Sequence, residues 1–334
     1  MSATSQERLW GYNHALDTPF ARGFLVGLAL LLAIAPLCIW LLQVMGKSGP
    51  ERRRELWARY RSWLLFAPLI VGPILLGAAW TIAAIALMSL LCYREFARAT
   101  GMFRQPAISC LVVFGILAVT FAVADHWYGL FVAITPLLIA LMAAVALCQD
   151  QPKGYIQRVA LGVLAFIFFG VCFGHLAYFA NDTQFRPMLL WLILCIELND
   201  VFAYVVGKTL GRARLAPNTS PNKTVAGALG ALLLTTALAA GLGAIVFAGT
   251  AIHTPLKLIT LGAILSFTGQ LGDLTLSSIK RDLGIKDWAA TFPGHGGLLD
   301  RFNSLLFAAP AVFHYVNYFQ GIGMDQAPRI LAGR

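Results

Sequence analysis

The sequence predicts an all-α, polytopic membrane protein with about ten transmembrane helices. Hydrophobic residues make up 59% of its 334 positions and charged residues only 12%, whereas an average soluble domain holds roughly 45–50% and about 25%. Several apolar runs reach the length of about 20 residues that crosses a bilayer as a helix. These runs are continuous and do not alternate, which favours helices over a closed β-barrel.

The first 93 residues predict three of these helices. The apolar run Phe24–Met45 is too long for the core of a signal peptide and follows no basic segment, so we predict a retained helix. A basic linker, Lys47–Arg61, comes next. The apolar run Trp63–Tyr93 is too long for one crossing, and Gly77 marks a tight hairpin that divides it into two short helices.

The rest of the chain predicts seven further helices. Their approximate ranges are 106–124, 128–148, 158–180, 187–207, 225–249, 255–276 and 304–321. We find no soluble domain and no convincing internal repeat. The chain therefore divides into residues 1–60, with a polar segment, one helix and the basic linker, and residues 61–334, a transmembrane domain.

The distribution of basic residues argues for a membrane orientation and against nucleic acid as a partner. The net charge is +10, and alternation of ten helices puts five loops on one side: 46–61, 94–105, 149–158, 208–224 and 277–303. Those loops hold 6, 3, 2, 4 and 4 Lys or Arg residues, 19 of the 25 in the chain. Because cytoplasmic loops carry the excess of basic residues, we place these loops in the cytoplasm and the N-terminus outside.

The last of these loops carries the first group of chemically capable residues. If the helix before it continues, one face holds four polar residues at i, i+4, i+7 and i+8: Asp273, Ser277, Lys280 and Arg281. A carboxylate, a hydroxyl and two cations then point together at the membrane surface, as a metal-bound phosphate requires. Farther on, the glycines that flank His295 let backbone amides approach an anion.

The loop at 208–224 carries the second group. Asp200 lies inside the apolar helix that precedes it, with Glu197 one turn earlier, and intramembrane carboxylates are costly and usually functional. Cations and donors that suit a polyphosphate follow: Lys208, Arg212, Arg214, Ser220, Asn222, Lys223 and Thr224. Taken singly, each feature has an ordinary role, such as a topology anchor, a turn or a helix cap. Their convergence on one side of the membrane favours a site.

The stretch Ser277–Asn303 resembles the signature of phosphatidate cytidylyltransferases. The matching residues are Ser277, Lys280, Arg281, Lys286, Asp287, Pro293, His295, Gly296, Gly297, Asp300 and Arg301, and the family's upstream patterns match at Asp273, at Asp200 to Tyr204, and at Ser220 to Thr224. The resemblance covers about residues 60–322, that is, nine helices, and leaves the N-terminal helix as an addition. It implies a cytidylyltransferase domain over residues 61–334.

The resemblance implies transfer of CMP from CTP to phosphatidic acid, which gives CDP-diacylglycerol and pyrophosphate. Mg²⁺ is the expected cofactor, with a second cation left open. The implied cation ligands are Asp273 and Asp300, with Asp287 a weaker candidate. The other implied catalytic residues are Lys280, Arg281, His295 and Arg301, and the implied substrate-binding residues are Asp200, Lys208, Ser220, Lys223, Thr224, Ser277, Lys286, Gly296 and Gly297.

Two positions depart from the family pattern. The signature ends in Asp where this chain has Asn303, and it usually has a basic residue where this chain has Asn222. We expect Asn303 to weaken cation binding or retune the enzyme without inactivating it. The alternative is that Asn303 only caps the last helix.

Three other functions stay open at this stage. A transporter would also bury carboxylates, but it usually shows paired repeats with broken helices at the membrane midplane. A CTP-dependent lipid or polyprenol kinase would transfer the γ-phosphoryl group, and an inactive family member would act as a membrane scaffold. The expected partners are CTP, phosphatidic acid and membrane lipids, with a homodimer left open. The expected location is the bacterial inner membrane, with the active site facing the cytoplasm.

Overall fold

The computed structural model describes residues 3–45, 49–289, 296–324 and 326–332. Almost all of its regular structure is helical, which confirms the all-α prediction. The helices of the first half are α1 (Ala3–Trp10), α2 (Pro19–Val44), α3 (Pro50–Leu76), α4 (Ala78–Thr100), α5 (Pro106–Ala124) and α6 (Tyr128–Cys148). Those of the second half are α7 (Tyr155–Ala165), α8 (Phe173–Tyr178), α9 (Phe185–Leu210), α10 (Val225–Val246), α11 (Pro255–Asp282) and α12 (Leu299–Gln320).

Each of the ten predicted apolar runs is helical in the structure. Within the described part of the chain, seven helical spans are long and apolar enough to cross a membrane. One of these spans, Tyr155–Asn181, combines α7, a π-helical stretch at Phe166–Cys172, α8 and a final 3₁₀ turn. The chain is a polytopic membrane protein. The three remaining long helices, α3, α11 and α12, each contain charged residues.

The turn at Gly77 divides the long apolar run as predicted. Gly77 has φ +134° and is the single residue between α3 and α4. A Cβ atom there would lie 2.7 Å from the carbonyl oxygen of Leu9. Glycine is required because the backbone conformation and the neighbouring chain both exclude a side chain.

Several element boundaries differ from the predicted ones. α4 extends through Thr100, α11 continues through Asp282, and α12 begins at Leu299 instead of residue 304. The loop at 208–224 contains an antiparallel hairpin, β1 (Arg214–Ala216) and β2 (Ser220–Thr224), which the all-α prediction missed. These differences lengthen the helices that bear the candidate site and shorten the loops.

The segments predicted to lie on the non-cytoplasmic side of the membrane pack together at one end of the bundle. Arg8 of α1 donates to Asn181 at 2.5 Å, and Arg186 donates to the carbonyl of Gly11 at 2.6 Å. The chain after α12 returns to the same place, where the Ile330 amide donates to the Asp125 carbonyl at 3.2 Å. We call the end that carries the β1–β2 hairpin and residues 283–289 the site end, and this one the opposite end.

Helices α9 to α12 form the part of the bundle that carries the site. A Cβ atom on Gly272 of α11 would lie 2.6 Å from the carbonyl of Asn303, so α11 and α12 approach closely there. Asn199 of α9 accepts hydrogen bonds from Thr235 of α10 at 3.1 Å and from Ser266 of α11 at 2.6 Å. These contacts hold the four helices together, and the polar side chains of the site end project from these helices.

Candidate functional site

The two loops predicted to converge do meet at the site end. Arg281, at the end of α11, donates from Nε to the carbonyl of Thr219 in the hairpin at 3.2 Å. The hydroxyls of Thr219 and Ser278 are 3.4 Å apart. The hairpin therefore lies against the last turns of α11, and this brings the 208–224 loop beside the signature segment.

A polar network centred on Asp273 links α9, α11, α12 and the hairpin. Lys223 pairs with one oxygen of Asp273, and the side-chain amide of Asn303 donates to the other. The side-chain oxygen of Asn303 in turn accepts from the Ser304 amide at 2.7 Å. The Ser304 hydroxyl lies 3.3 Å and 3.5 Å from the two carboxylate oxygens of Asp200. Residues from four separate elements thus form one polar network.

A second network surrounds Asp300, at the start of α12. Lys280 donates to its Oδ1 at 2.7 Å, and the backbone amides of Trp288 and Gly297 donate to its Oδ2, each at 3.0 Å. Both side chains of the Lys280–Asp300 pair are about nine-tenths buried, at 11% and 9% exposure. Asp300 therefore holds together the two sides of the loop between α11 and α12.

Asp287 and Gly296 lie next to this second network. Gly296 has φ +76°, and a Cβ atom there would lie 3.0 Å from Oδ2 of Asp300 and 3.6 Å from Oδ1 of Asp287. Glycine leaves the space between the two carboxylates open. Asp287 itself is exposed.

The predicted helix face is only partly correct. α11 does continue to Asp282, and both Asp273 and Lys280 pair with side chains of α12. Arg281 instead turns to the hairpin and is exposed. A residue eight positions after Asp273 is rotated by about 80° relative to it at 3.6 residues per turn, which is enough to change the neighbouring element.

The other predicted residues differ in their positions and burial. Thr224 caps α10, because its hydroxyl accepts from the Gly227 amide at 3.1 Å. Lys208 and Lys286 are exposed, Ser220 is half-buried and Ser277 is buried, all at the site end. Arg301 is exposed at the start of α12, and its charge acts on Glu197 and Asp200. The predicted His295 lies outside the described residues.

The donor set around Asp273 fits a hard divalent cation. Lys223 contacts Asp273, and the charges of Lys223 and Asp273 both act on Asp200, so a positive charge is already stabilised between acidic side chains. Mg²⁺ binds through one or two carboxylates plus substrate phosphates. Within the described residues, no group of three or more acidic, histidine or cysteine side chains is arranged to hold a metal ion.

Glu95 is a site-end residue that the sequence reasoning missed. Its carboxylate accepts from the backbone amides of Leu298 at 3.0 Å and Leu299 at 2.9 Å, and so binds the first turn of α12. The residue is 9% exposed. The available signal was an acid between Arg94 and Arg98 in a segment that we assigned to a loop; the extension of α4 to Thr100 buries it.

The chain matches a known protein family over most of its length. A family model described as the cytidylyltransferase family matches residues 57–319. The chain belongs to the cytidylyltransferase family. The matched region contains both polar networks and begins after α1 and α2.

Individual relatives agree with this assignment. A phosphatidate cytidylyltransferase of Staphylococcus haemolyticus is 31% identical over 255 residues, covering 74% of this chain and 92% of that protein. The phosphatidate cytidylyltransferase of Bacillus subtilis is 38% identical over 164 residues, covering 49% of this chain and 60% of that protein. The uncharacterized protein YnbB of Escherichia coli is 28% identical over 303 residues, covering 87% of this chain and 97% of YnbB. This cytidylyltransferase is thus a membrane-bound nucleotidyltransferase.

Proposed function

We propose that this cytidylyltransferase transfers CMP from CTP to phosphatidic acid, producing CDP-diacylglycerol and pyrophosphate in phospholipid biosynthesis. The observation that carries the proposal is the pair of networks along α11 and α12, Lys223–Asp273–Asn303 and Lys280–Asp300. They arrange cations and carboxylates over two helical turns of the site end. The Staphylococcus haemolyticus and Bacillus subtilis relatives are phosphatidate cytidylyltransferases, and this supports the choice of acceptor.

The reaction requires two anions to approach each other. A phosphate oxygen of phosphatidic acid attacks the α-phosphorus of CTP, and the bond from that phosphorus to the oxygen bridging the β-phosphate breaks, which releases pyrophosphate. The second pKa of a phosphate monoester is about 6, so the attacking oxygen is largely ionised at neutral pH and needs little help from a base. Catalysis therefore depends on neutralising repulsion and holding the two phosphates in line.

The chain's cations can meet that requirement. Lys223 and Arg281 lie where the hairpin meets α11, and we assign them to the CTP phosphates. Arg301 and Lys286 are exposed beside the start of α12 and bind the remaining phosphate charge. His295 is assigned a hydrogen-bonding role on the strength of the signature alone. These roles use the ability of Arg and Lys to form charge-assisted hydrogen bonds with phosphate oxygens.

We assign the Mg²⁺ ligands first to Asp273, with Asp200 in the same network. Bound there, Mg²⁺ would supply positive charge against the phosphates. Asp300 and Asp287 are the other proposed ligands. Because both oxygens of Asp300 are engaged by Lys280 and two amides, a cation at Asp300 would have to displace one of them. We further propose that the site end faces the cytoplasm, where CTP is made.

The position of the radiolabel in the lipid product tests this function. Purified protein is incubated with Mg²⁺, CTP labelled at the α- or the γ-phosphate, and a panel of lipid phosphates. We expect α-label in the product formed from phosphatidic acid. Transfer of γ-label would instead identify a lipid kinase, and transfer of neither label would contradict the proposal and leave the scaffold or transporter.

A single substitution tests the assignment of the site in the same assay. Asp273→Asn should fold normally but lose nearly all CMP transfer, because it removes the charge that faces Lys223 and the cation. Asp282→Asn, at the exposed end of the same helix, is the matched control and should retain activity. Retained Mg²⁺-dependent turnover in Asp273→Asn would rule out its role as a cation ligand.

A further inference from the structure

A large apolar cavity lies between α3, α4, α8, α9 and α12. Its volume is about 530 Å³, in the range of about 300–1,000 Å³ that holds small-molecule ligands. The cavity is lined mainly by apolar side chains. Examples are Ile70 and Pro73 of α3, Ala84 and Met88 of α4, and Ile193 of α9. Neither polar network uses a residue of this lining.

Polar groups are concentrated at one end of the cavity. Its lining along α4 runs from Trp80 to Arg98, which at 1.5 Å per residue is about 27 Å, close to the thickness of the hydrocarbon core. The charged members of the lining, Arg94, Glu95 and Arg98, all lie at the site end of α4. The cavity therefore has the polarity of a single lipid molecule, with an apolar body and a charged head.

The two arginines are available to a ligand. Arg94 and Arg98 are one helical turn apart on α4, and both are exposed. Within the described part of the chain, neither makes a hydrogen bond or an ion pair. The carboxylate between them, Glu95, is directed to the amides of α12. Two guanidinium groups above an apolar cavity match an anionic phosphate headgroup.

The occupant must come from the bilayer. Leu69, Leu87 and Leu91 line the cavity and are 58%, 58% and 39% exposed. α4 is one of the helices apolar enough to cross the membrane. In a bilayer these exposed side chains contact acyl chains, so the cavity opens sideways to lipid and not to water.

The cavity also leads towards the proposed active site. Leu189 and Ile193 of α9 line it, and Glu197 and Asp200 continue the same helical face at steps of three or four residues. On α12, Leu298 and Phe302 line the cavity, whereas Asp300 and Asn303 face α11. A lipid in the cavity thus lies behind the first turn of α12, with its headgroup near the turn that carries Asp300.

We propose that this cavity is the binding site of the lipid acceptor, with acyl chain in the apolar part and the phosphate monoester held by Arg94 and Arg98. The proposal rests on the proposed function for the identity of the lipid. Because α12 separates the two arginines from Asp273, they hold the lipid on entry, and its phosphate passes the first turn of α12 before it reacts. Their loss weakens lipid binding and leaves the bond-forming step unchanged.

Steady-state kinetics test the role of the arginines. The double variant Arg94→Gln/Arg98→Gln should raise the KM for phosphatidic acid about tenfold or more, since two charge-assisted hydrogen bonds are lost, while kcat and the KM for CTP stay within about twofold. Arg104→Gln, an exposed arginine in the turn after α4, is the matched control. An unchanged KM for the lipid, or an equal rise in the KM for CTP, would overturn the proposal.

Photocrosslinking separates this proposal from the proposed function. A phosphatidic acid with a photoreactive acyl chain, presented in lipid nanodiscs, should label peptides of α3 and α4. Ala84→Phe, which fills the cavity, should reduce the labelling, and a phosphatidylcholine with the same chains should label weakly. Labelling of α3 and α4 without CMP transfer would sustain the lipid site and overturn the proposed reaction. Normal CMP transfer with labelling confined to other helices would overturn the lipid site alone.

Discussion

Asn303 places a neutral amide against the carboxylate of Asp273. The amide donates to Asp273, and its oxygen accepts from the backbone amide of Ser304 at 2.7 Å. α12 begins at Leu299, so Asn303 lies in its second turn and does not cap the helix. The capping alternative is therefore wrong, and Asn303 belongs to the Asp273 network.

This geometry predicts the effect of restoring the family's carboxylate. In Asn303→Asp two carboxylates face each other, which costs stability unless a cation lies between them. We expect the Tm of the variant to fall without Mg²⁺ and to rise more than that of the wild type when Mg²⁺ is added. The Mg²⁺ concentration for half-maximal activity should fall about fivefold or more, the factor that corresponds to roughly 1 kcal/mol.

Asn222→Asp is the control for this experiment. It adds the same charge in the exposed hairpin, at the other position that departs from the family pattern. Only Asn303→Asp should change the Mg²⁺ dependence of Tm and activity. If the two variants respond to Mg²⁺ as the wild type does, Asn303 does not border the cation site.

At the residue scale, the sequence predicted which segments meet better than which side chains pair. Both Lys280 and Asp300 were identified, but as separate phosphate and cation ligands, and the structure joins them in one buried ion pair. The contact of Lys223 with Asp273 links residues 50 positions apart. Such pairs depend on how α10, α11 and α12 pack, and no local pattern encodes that packing.

At the scale of elements, the start of α12 is held by another helix. The first backbone amides of a helix have no partner inside it, and Glu95 of α4 satisfies those of Leu298 and Leu299. The positive end of the helix dipole also favours a carboxylate there. Glu95 therefore acts as a positioning residue for the turn that carries Asp300 and Arg301.

Glu95→Gln should loosen that turn. The amide side chain keeps a single acceptor oxygen, so one buried amide loses its partner at a cost of about 1–3 kcal/mol. We expect Tm to fall by several degrees and kcat to fall, with the KM for CTP rising as the phosphate ligands lose their alignment. Glu95→Asp, which keeps both acceptors on a shorter side chain, should recover part of the activity.

A surface acid serves as the control for Glu95. Glu55 is exposed and pairs with Arg59 on α3, and exposed pairs contribute little to stability. Glu55→Gln should therefore leave Tm and kcat unchanged. Equal effects of the two substitutions, or a stability loss in Glu95→Gln without any change in kcat, would contradict the positioning role.

Helix boundaries were predictable where strong local signals mark them. α5 begins at Pro106 and α6 ends at Cys148, as predicted from the apolar runs. The β1–β2 hairpin was missed because its strands have only three and five residues and little apolar content. The extra turns of α4 and α11 were missed because they contain charged residues, which usually mark a loop. In the structure, contacts with α12 hold Glu95 of α4 and Lys280 of α11 in the helices.

At the scale of the whole molecule, the alternation of helices agrees with the contacts. Gly77 lies against Leu9, and Asn181 against Arg8, so three segments predicted to share one side do share one end. Six basic residues lie outside the five segments predicted to be cytoplasmic. Five of the six belong to the part of the chain that the structure describes: Arg8, Arg22, Arg186, Lys257 and Arg329. The packing fixes which loops lie together, whereas the charge asymmetry predicts which end faces the cytoplasm.

Cysteine labelling in intact cells tests that orientation. In a chain whose six native cysteines have been replaced, Asn218→Cys reports on the exposed hairpin at the site end and Thr183→Cys on an exposed turn at the opposite end. An impermeant maleimide should label residue 183 and leave residue 218 unlabelled until the membrane is permeabilised. The physical reason is that 19 of 25 basic residues lie in the five segments predicted to be cytoplasmic, which include the hairpin, and translocating them across the membrane is disfavoured. Labelling of residue 218 from outside would reverse the orientation and place the CTP site on the side of the membrane where CTP is not made. Labelling of both residues before permeabilisation would show that the two ends do not lie on opposite sides.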